Sequence, residues 1–344
     1  MIERRIDVVT IGFIFAALPL VFQFVRLICG AISDIIGRKL FFVSNSFLNI
    51  ILLVIYYIAY SPLEFLFGKI TEGIKNASLW SVNRAALLDQ KKDKRGLLSK
   101  MMGIAHIGDA AGRIIAGFLI AWIFYENTVL FCILLSLLIV PGVLSLKGKK
   151  RKRIRIERTF SILDIRKRSK FFKRFALISF ITGLSSGLIY GYIFPLFLKE
   201  GGFGTEIIGI IIGLNILLIG IFSILTRKIE IKKLVLYAGI SYFFLMILLG
   251  FSNYSMAALI IIALGIARGM GHGVFEGIIS KASSINSYGG DVGMLTTGLQ
   301  IGQAISLAFS GFIITYIGFF GLFSLSALFY IIYCILTYLT FKKI

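Results

Sequence analysis

Residues 265–277 read GIARGMGHGVFEG. Gly265, Gly269, Gly273 and Gly277 recur every four residues, so on a helix they form one smooth stripe. Arg268, His272 and Glu276 recur at the same spacing and form a second stripe, turned about 100° round the axis. The segment lies inside a long apolar run, where glycines let a neighbouring backbone come close. Ionisable groups at that depth are costly unless they face a cavity or a partner. The spacing predicts a membrane helix with one face to pack and one face to work.

Composition places this helix among many like it. The chain is 58% hydrophobic and has four prolines in 344 residues, whereas soluble domains run at roughly 45–50% apolar. Repeated apolar runs of about 20 residues define a polytopic, all-α membrane protein. Eleven segments are long enough to span: 8–30, 40–60, 63–88, 97–123, 127–146, 175–198, 205–226, 233–251, 255–280, 292–317 and 319–341. The net charge of +21 sits in the connections between them, which argues against nucleic acid and for a record of orientation. Cys29, Cys132 and Cys334 lie in apolar segments without metal or redox spacing, and no cofactor or metal is expected.

Charge alternates along the connections. Arg38 and Lys39, Lys91 to Arg95, the 147–174 loop, Arg227 to Lys233, Lys281, and Lys342 with Lys343 fall on one side. The other side offers Lys199 and the N-terminal Arg4 and Arg5. The positive-inside rule puts the first set, and the C-terminus, in the cytoplasm of a cell bounded by its plasma membrane. The 147–174 loop holds fourteen Lys and Arg against Glu157 and Asp164. It divides the chain into 1–146 with five spans, a basic linker, and 175–344 with six. The linker reads as an orientation-fixing connection with a short amphipathic helix near Phe160–Ile165, or as a dock for anionic lipid, each basic residue contributing about 1 kcal/mol.

An internal repeat relates the two parts. His106–Ile120 reads HIGDAAGRIIAGFLI and Gln300–Ile314 reads QIGQAISLAFSGFII, sharing I-G-x-A and, nine residues on, G-F-x-I. Two weakly similar halves around a midplane site are a recurring transporter plan.

The first cytoplasmic connection, residues 30–39, reads GAISDIIGRK. By itself it is a tight turn with a carboxylate, a second glycine and two cations. The spacing of Gly30, Asp34, Gly37, Arg38 and Lys39 resembles the signature loop of the major facilitator superfamily; Ile35 stands where the family has Arg. The run from Asp89 through Lys94, Arg95, Gly96, Gly103 and Asp109 to Gly112 is similar to the family's join between its fourth and fifth helices. Gly103, Gly112 and Gly117 match part of the antiporter signature in the fifth helix, but its proline is absent, so antiport does not follow. The resemblance implies a two-bundle fold with the family's first helix missing. It also implies that the 30–39 loop, with Arg84 nearby, latches the halves at the cytoplasmic face, Asp34 capping a helix of the second half.

The ionisable residues inside spans are the candidates for proton or substrate work. They are Lys69, Glu72 and Lys75 in the third span, Asp109 and Arg113 in the fourth, and Arg268, His272 and Glu276. Each i,i+3 or i,i+4 pair also reads as a structural ion pair, and His272 equally as a packing residue. Arg26, near the interface, reads as a snorkelling side chain. Glu276 is the first choice for proton coupling, since a carboxylate away from water titrates closer to neutrality, with Arg268 expected to hold it in place. Gln300, Gln303, Tyr190 and Tyr192 are the candidates for lining the cavity. The expectation is a monomeric secondary transporter, proton-coupled and working as an exporter or an importer, of a small anionic or zwitterionic solute. Its rival is a membrane binding or scaffold protein that moves nothing, a transporter degenerate for want of its first helix. No catalytic constellation marks an enzyme.

Overall fold

The structure, a computed structural model, describes Met1 and residues 4–36, 38–88, 94–145, 169–282 and 288–342. Those residues form ten α-helices and, among the described residues, no strand. The first half holds α1 (Val8–Ile36), α2 (Arg38–Ile58), α3 (Pro62–Leu88) and α4 (Lys94–Leu144). The second holds α5 (Lys170–Gly187), α6 (Ile193–Glu200), α7 (Thr205–Leu225), α8 (Ile231–Phe251), α9 (Tyr254–Ala282) and α10 (Tyr288–Lys342). A backbone in hydrocarbon must satisfy its own polar groups, so apolar runs of this length become helices.

Polar residues at the helix starts supply partners for the first free N–H groups. Asp7 Oδ1 accepts from the Thr10 amide at 2.9 Å ahead of α1. Ahead of α3, Glu64 Oε2 accepts from the Ser61 amide at 2.8 Å and Ser61 Oγ from the Glu64 amide at 3.5 Å, a reciprocal capping box. Ser169 Oγ accepts from the Phe172 amide at 3.1 Å ahead of α5.

Seven helical stretches are long and apolar enough to cross a membrane, two of them 45 and 50 residues long. These two lie in α4 and α10, and each folds back at one residue: Phe124 (φ 65°, ψ 167°) and Gly318 (φ 78°, ψ 179°). The breaks fall between the fourth and fifth and between the tenth and eleventh apolar segments. They also fall at the same place in the repeat, 18 residues past His106 and 18 past Gln300. The charges of α3 keep it out of the seven, and α5 and α6 form one interrupted pass. Between those two the chain turns through Gly191 at φ +68°, where a Cβ would meet the Phe15 ring at 2.7 Å. Glycine is required there on both counts.

Two helix pairs join the halves: α1 lies along α10, and the first arm of α4 along α7. Glycines bring both pairs to backbone distance. A Cβ on Gly12 would stand 2.8 Å from the Leu307 carbonyl, and one on Gly209 would stand 2.9 Å from Gly117 Cα. The glycine stripe of α9 packs as its spacing predicts. Gly265 and Gly269 face the Asn215 and Ile219 carbonyls of α7, and Gly273 faces Thr226 and Leu234.

Candidate functional site

A cavity of about 350 Å³ lies between the halves. From the first half α1 contributes Phe22 and Arg26, and α3 contributes Asn76 and Trp80. From the second, α9 presents Arg268, His272 and Glu276, and α10 presents Gln300 and Gln303. The turn between α5 and α6 brings Tyr190 to the wall, so the interrupted pass meets the cavity where its backbone leaves the helix. Interrupted helices beside a central cavity are a transporter device, because irregular backbone at that depth is tolerated where it lines a cavity.

The electrostatics of the wall are specific. Arg268 Nη1 donates to Asn215 Oδ1 at 2.9 Å, and Asn215 Nδ2 donates to the Ile261 carbonyl at 2.5 Å. The partner of Arg268 is therefore a neutral amide on α7. Glu276 stands two turns along α9, about 12 Å at 1.5 Å per residue, and the expected Arg268–Glu276 bond is not formed. Arg26, expected to snorkel, is instead 8% exposed and donates to Thr296 Oγ1 at 2.9 Å across the α1–α10 seam. One turn before it, Gln23 Nε2 reaches the Gly293 carbonyl at 3.1 Å and Thr297 Oγ1 at 2.6 Å. His272 meets His106 of α4, ring centroids 5.4 Å apart, and His106 Nε2 is buried without a hydrogen-bond partner.

The remaining candidates lie elsewhere. Lys69 Nζ and Glu72 Oε2 are 2.7 Å apart, with Tyr56 donating to the same oxygen at 2.9 Å. Lys69 also stands 4.2 Å from the Phe15 ring centroid, a cation–π contact. Lys75 Nζ donates to Asn49 Oδ1 at 2.9 Å. This network ties α3 to α2 and α1 and does not line the cavity. Asp109 and Arg113 pair at 3.1 Å on α4, their side chains 47% and 44% exposed beside Gly108 and Gly112; they are not among the lining residues, but Arg113 is within electrostatic reach of Arg268 and both are within reach of Tyr190. Tyr192 bonds Ser310 Oγ at 2.7 Å and packs its ring against Phe15 at a 47° tilt, away from the cavity. Of the cytoplasmic loop, Gly30 and Asp34 fall in the last turns of α1, and Arg38 and Lys39 begin α2. Gly37 and the side chains of Asp34, Arg38 and Arg84 lie outside the described residues, as does the 147–168 part of the linker with Phe160–Ile165.

Sequence reasoning passed over Asn215, Trp80 and the Tyr242–Tyr330 stack. Asn215 did carry a signal, being a lone polar side chain in the apolar run TEIIGIIIGLNILLIGIFSIL. The tyrosines carried none, because aromatic residues recur throughout the chain.

Two helical bundles around a central polar cavity define a membrane carrier. The profile of the Major Facilitator Superfamily matches residues 2–236, and the chain belongs to that family. It is accordingly a multi-pass membrane transporter and not an enzyme. Among solved structures, the nucleoside transporter NupG aligns with a TM-score of 0.76 at 14% identity, covering 99% of this chain and 92% of that one. The human organic anion transporter MFSD10 (TETRAN) aligns with a TM-score of 0.70 at 17% identity, covering 95% and 83%. At those identities the likeness is one of fold. No curated protein matches the sequence.

Proposed function

We propose that the chain is a secondary active transporter of a small anionic or zwitterionic solute, working by alternating access and coupled to protons through Glu276. The observation that carries the reading is the shared cavity itself. Its wall draws on both halves and holds two guanidiniums, a carboxylate and three amides within the spans, where ionisable groups are costly without a task. Rocking of 1–146 against 175–344 opens the cavity to either side, and the basic linker 147–174 fixes the cytoplasmic face and meets anionic lipid. Protonation of Glu276, 8% exposed and on the cavity wall, removes its charge and favours one state over the other. Asp109, paired with Arg113 and within electrostatic reach of Tyr190, is the second carboxylate candidate. The protein works as a monomer in the plasma membrane with its C-terminus in the cytoplasm. Export fits the reading as well as import.

The test is a panel of solutes in proteoliposomes, with and without a pH gradient. Uptake or efflux of an anionic or zwitterionic solute that follows the gradient supports the proposal, and Glu276→Gln removes the gradient dependence while leaving exchange. Gradient dependence unchanged in Glu276→Gln overturns the role of Glu276. Saturable binding without flux for any solute favours the rival reading, a membrane binding protein.

A further inference from the structure

We propose that the cavity takes an aryl carboxylate, a flat aromatic monoanion, with its carboxylate between the Arg268 guanidinium and the Tyr330 hydroxyl. This rests on reading the cavity as the solute site. The first observation is a cation with room for a counter-ion. Arg268 is bonded to the neutral Asn215, and no described carboxylate comes within 4 Å of it. A guanidinium away from water is strongly drawn to a planar acceptor that takes two N–H bonds at once.

The second observation is independent of the first. Tyr330 is 7% exposed, lines the cavity, and its hydroxyl has no hydrogen-bond partner. A buried hydroxyl left unbonded is a standing cost that a ligand acceptor removes. That hydroxyl lies against Gly271, which follows Arg268 by three residues on the same face of α9. The two donors therefore converge on one patch of wall. The Tyr330 ring is fixed by its stack on Tyr242, centroids 4.0 Å apart, and Tyr242 is held in turn by Ser326 at 2.8 Å.

The rest of the wall selects the body of the ligand. Seven of the 23 lining residues are Phe, Tyr or Trp, about twice their 14% share of the chain. Phe22 and Trp80 face the α9–α10 side from α1 and α3. Aromatic walls favour a ring through stacking and edge contacts. Charge narrows the class further. A dianion meets the Glu276 carboxylate in the same cavity. An α-amino acid bound through its carboxylate brings its own ammonium beside the Arg268 guanidinium, a like-charge contact.

Trp80 supplies the readout. The chain has two tryptophans, and Trp122 is 75% exposed and away from the cavity. In detergent-purified Trp122→Phe protein, Trp80 is the sole indole emitter. Titration with 4-nitrobenzoate is expected to quench it saturably and to be reversed by benzoate, with phenylalanine and 4-nitrobenzyl alcohol weaker by about tenfold or more. Adding Arg268→Gln is expected to weaken 4-nitrobenzoate by at least about tenfold, and Tyr330→Phe by several-fold. Equal binding of the alcohol or of phenylalanine overturns the proposal, as does quenching unchanged in both variants. Should Arg268→Gln not yield a monodisperse protein, Tyr330→Phe decides alone, since it removes one oxygen and keeps the stack. Flux is not read in this assay. Binding without transport therefore upholds the ligand class while counting against the transporter reading.

Discussion

Arg268 of α9 and Asn215 of α7 are joined at 2.9 Å, and the amide that holds the guanidinium is itself held by the Ile261 carbonyl of α9. Asn215 thus bridges two turns of one helix from another and sets where the positive charge stands. Replacing it by Asp gives Arg268 a permanent counter-ion, so an anionic solute then competes with a bonded carboxylate. The expected result for Asn215→Asp is a loss of anion binding of at least about tenfold with a smaller loss of thermal stability than Asn215→Leu, the new charge-assisted bond to Arg268, about 1.5–3 kcal/mol, offsetting the lost donation to the Ile261 carbonyl. Asn215→Leu is expected to reduce binding and stability together. Equilibrium binding and thermal unfolding, measured on the same preparations, separate the two.

The network on α3 makes a different prediction. Glu72 compensates Lys69 and accepts from Tyr56. Glu72→Gln leaves a buried ammonium without its carboxylate, which costs about 3–5 kcal/mol in comparable pairs. The paired change Lys69→Met with Glu72→Leu is expected to recover most of that loss, because apolar replacement of both partners is often neutral. A thermal-shift series on the two single variants and the double variant checks this, and strict additivity would count against a coupled pair.

Gly318 turns α10 back on itself at φ 78°, ψ 179°, a region that side chains other than glycine's enter only under strain. There is open space around it, so the cost of Gly318→Val is one of backbone and not of collision. The expected destabilisation is about 1–3 kcal/mol, read as a lower unfolding temperature. Phe124 holds the equivalent break at φ 65° and is 70% exposed. Phe124→Gly is expected to be tolerated or to raise the unfolding temperature slightly.

Asp7 yields a pH prediction outside the membrane. Its hydrogen bonds to Thr10 hold its carboxyl below the ordinary 3.8. The carboxylate therefore contributes stability that is fully present above pH 3.8 and lost as pH falls through the lowered value. Asp7→Asn should flatten that part of the stability profile and leave neutral pH little changed. Unfolding temperatures of the two proteins between pH 2 and pH 6 provide the comparison.

The spans and their reversals were legible from apolar run lengths, which leave Phe124 and Gly318 in the gaps between segments. The α9 glycine stripe was legible because close packing in lipid depends on side-chain size, which a sequence states outright. Partnership was less legible. The Arg268 stripe pointed to Glu276, but residues eight apart on a helix are two turns apart, and the actual partner lies 53 residues away on α7. Facing was least legible. Asp109 and Arg268 both lie inside apolar segments, yet the Asp109 side chain is 47% exposed and paired within its own helix, whereas Arg268 lines the cavity and is held by another helix. Only the packing of neighbouring helices decides which.

The seam between α1 and α10 is built differently at its two ends. Near its start, Gly12 and Gly311 bring backbone against backbone; near its finish, Gln23 and Arg26 cross to Thr296, Thr297 and Gly293. Parting the first end means losing close-packed contact along the chain with nothing to replace it. Parting the second means exchanging a few side-chain hydrogen bonds, at about 0.5–1.5 kcal/mol each, for water or for a solute's own polar atoms. One end behaves as a bearing and the other as a latch, and an arriving ligand needs only the strength to work the latch.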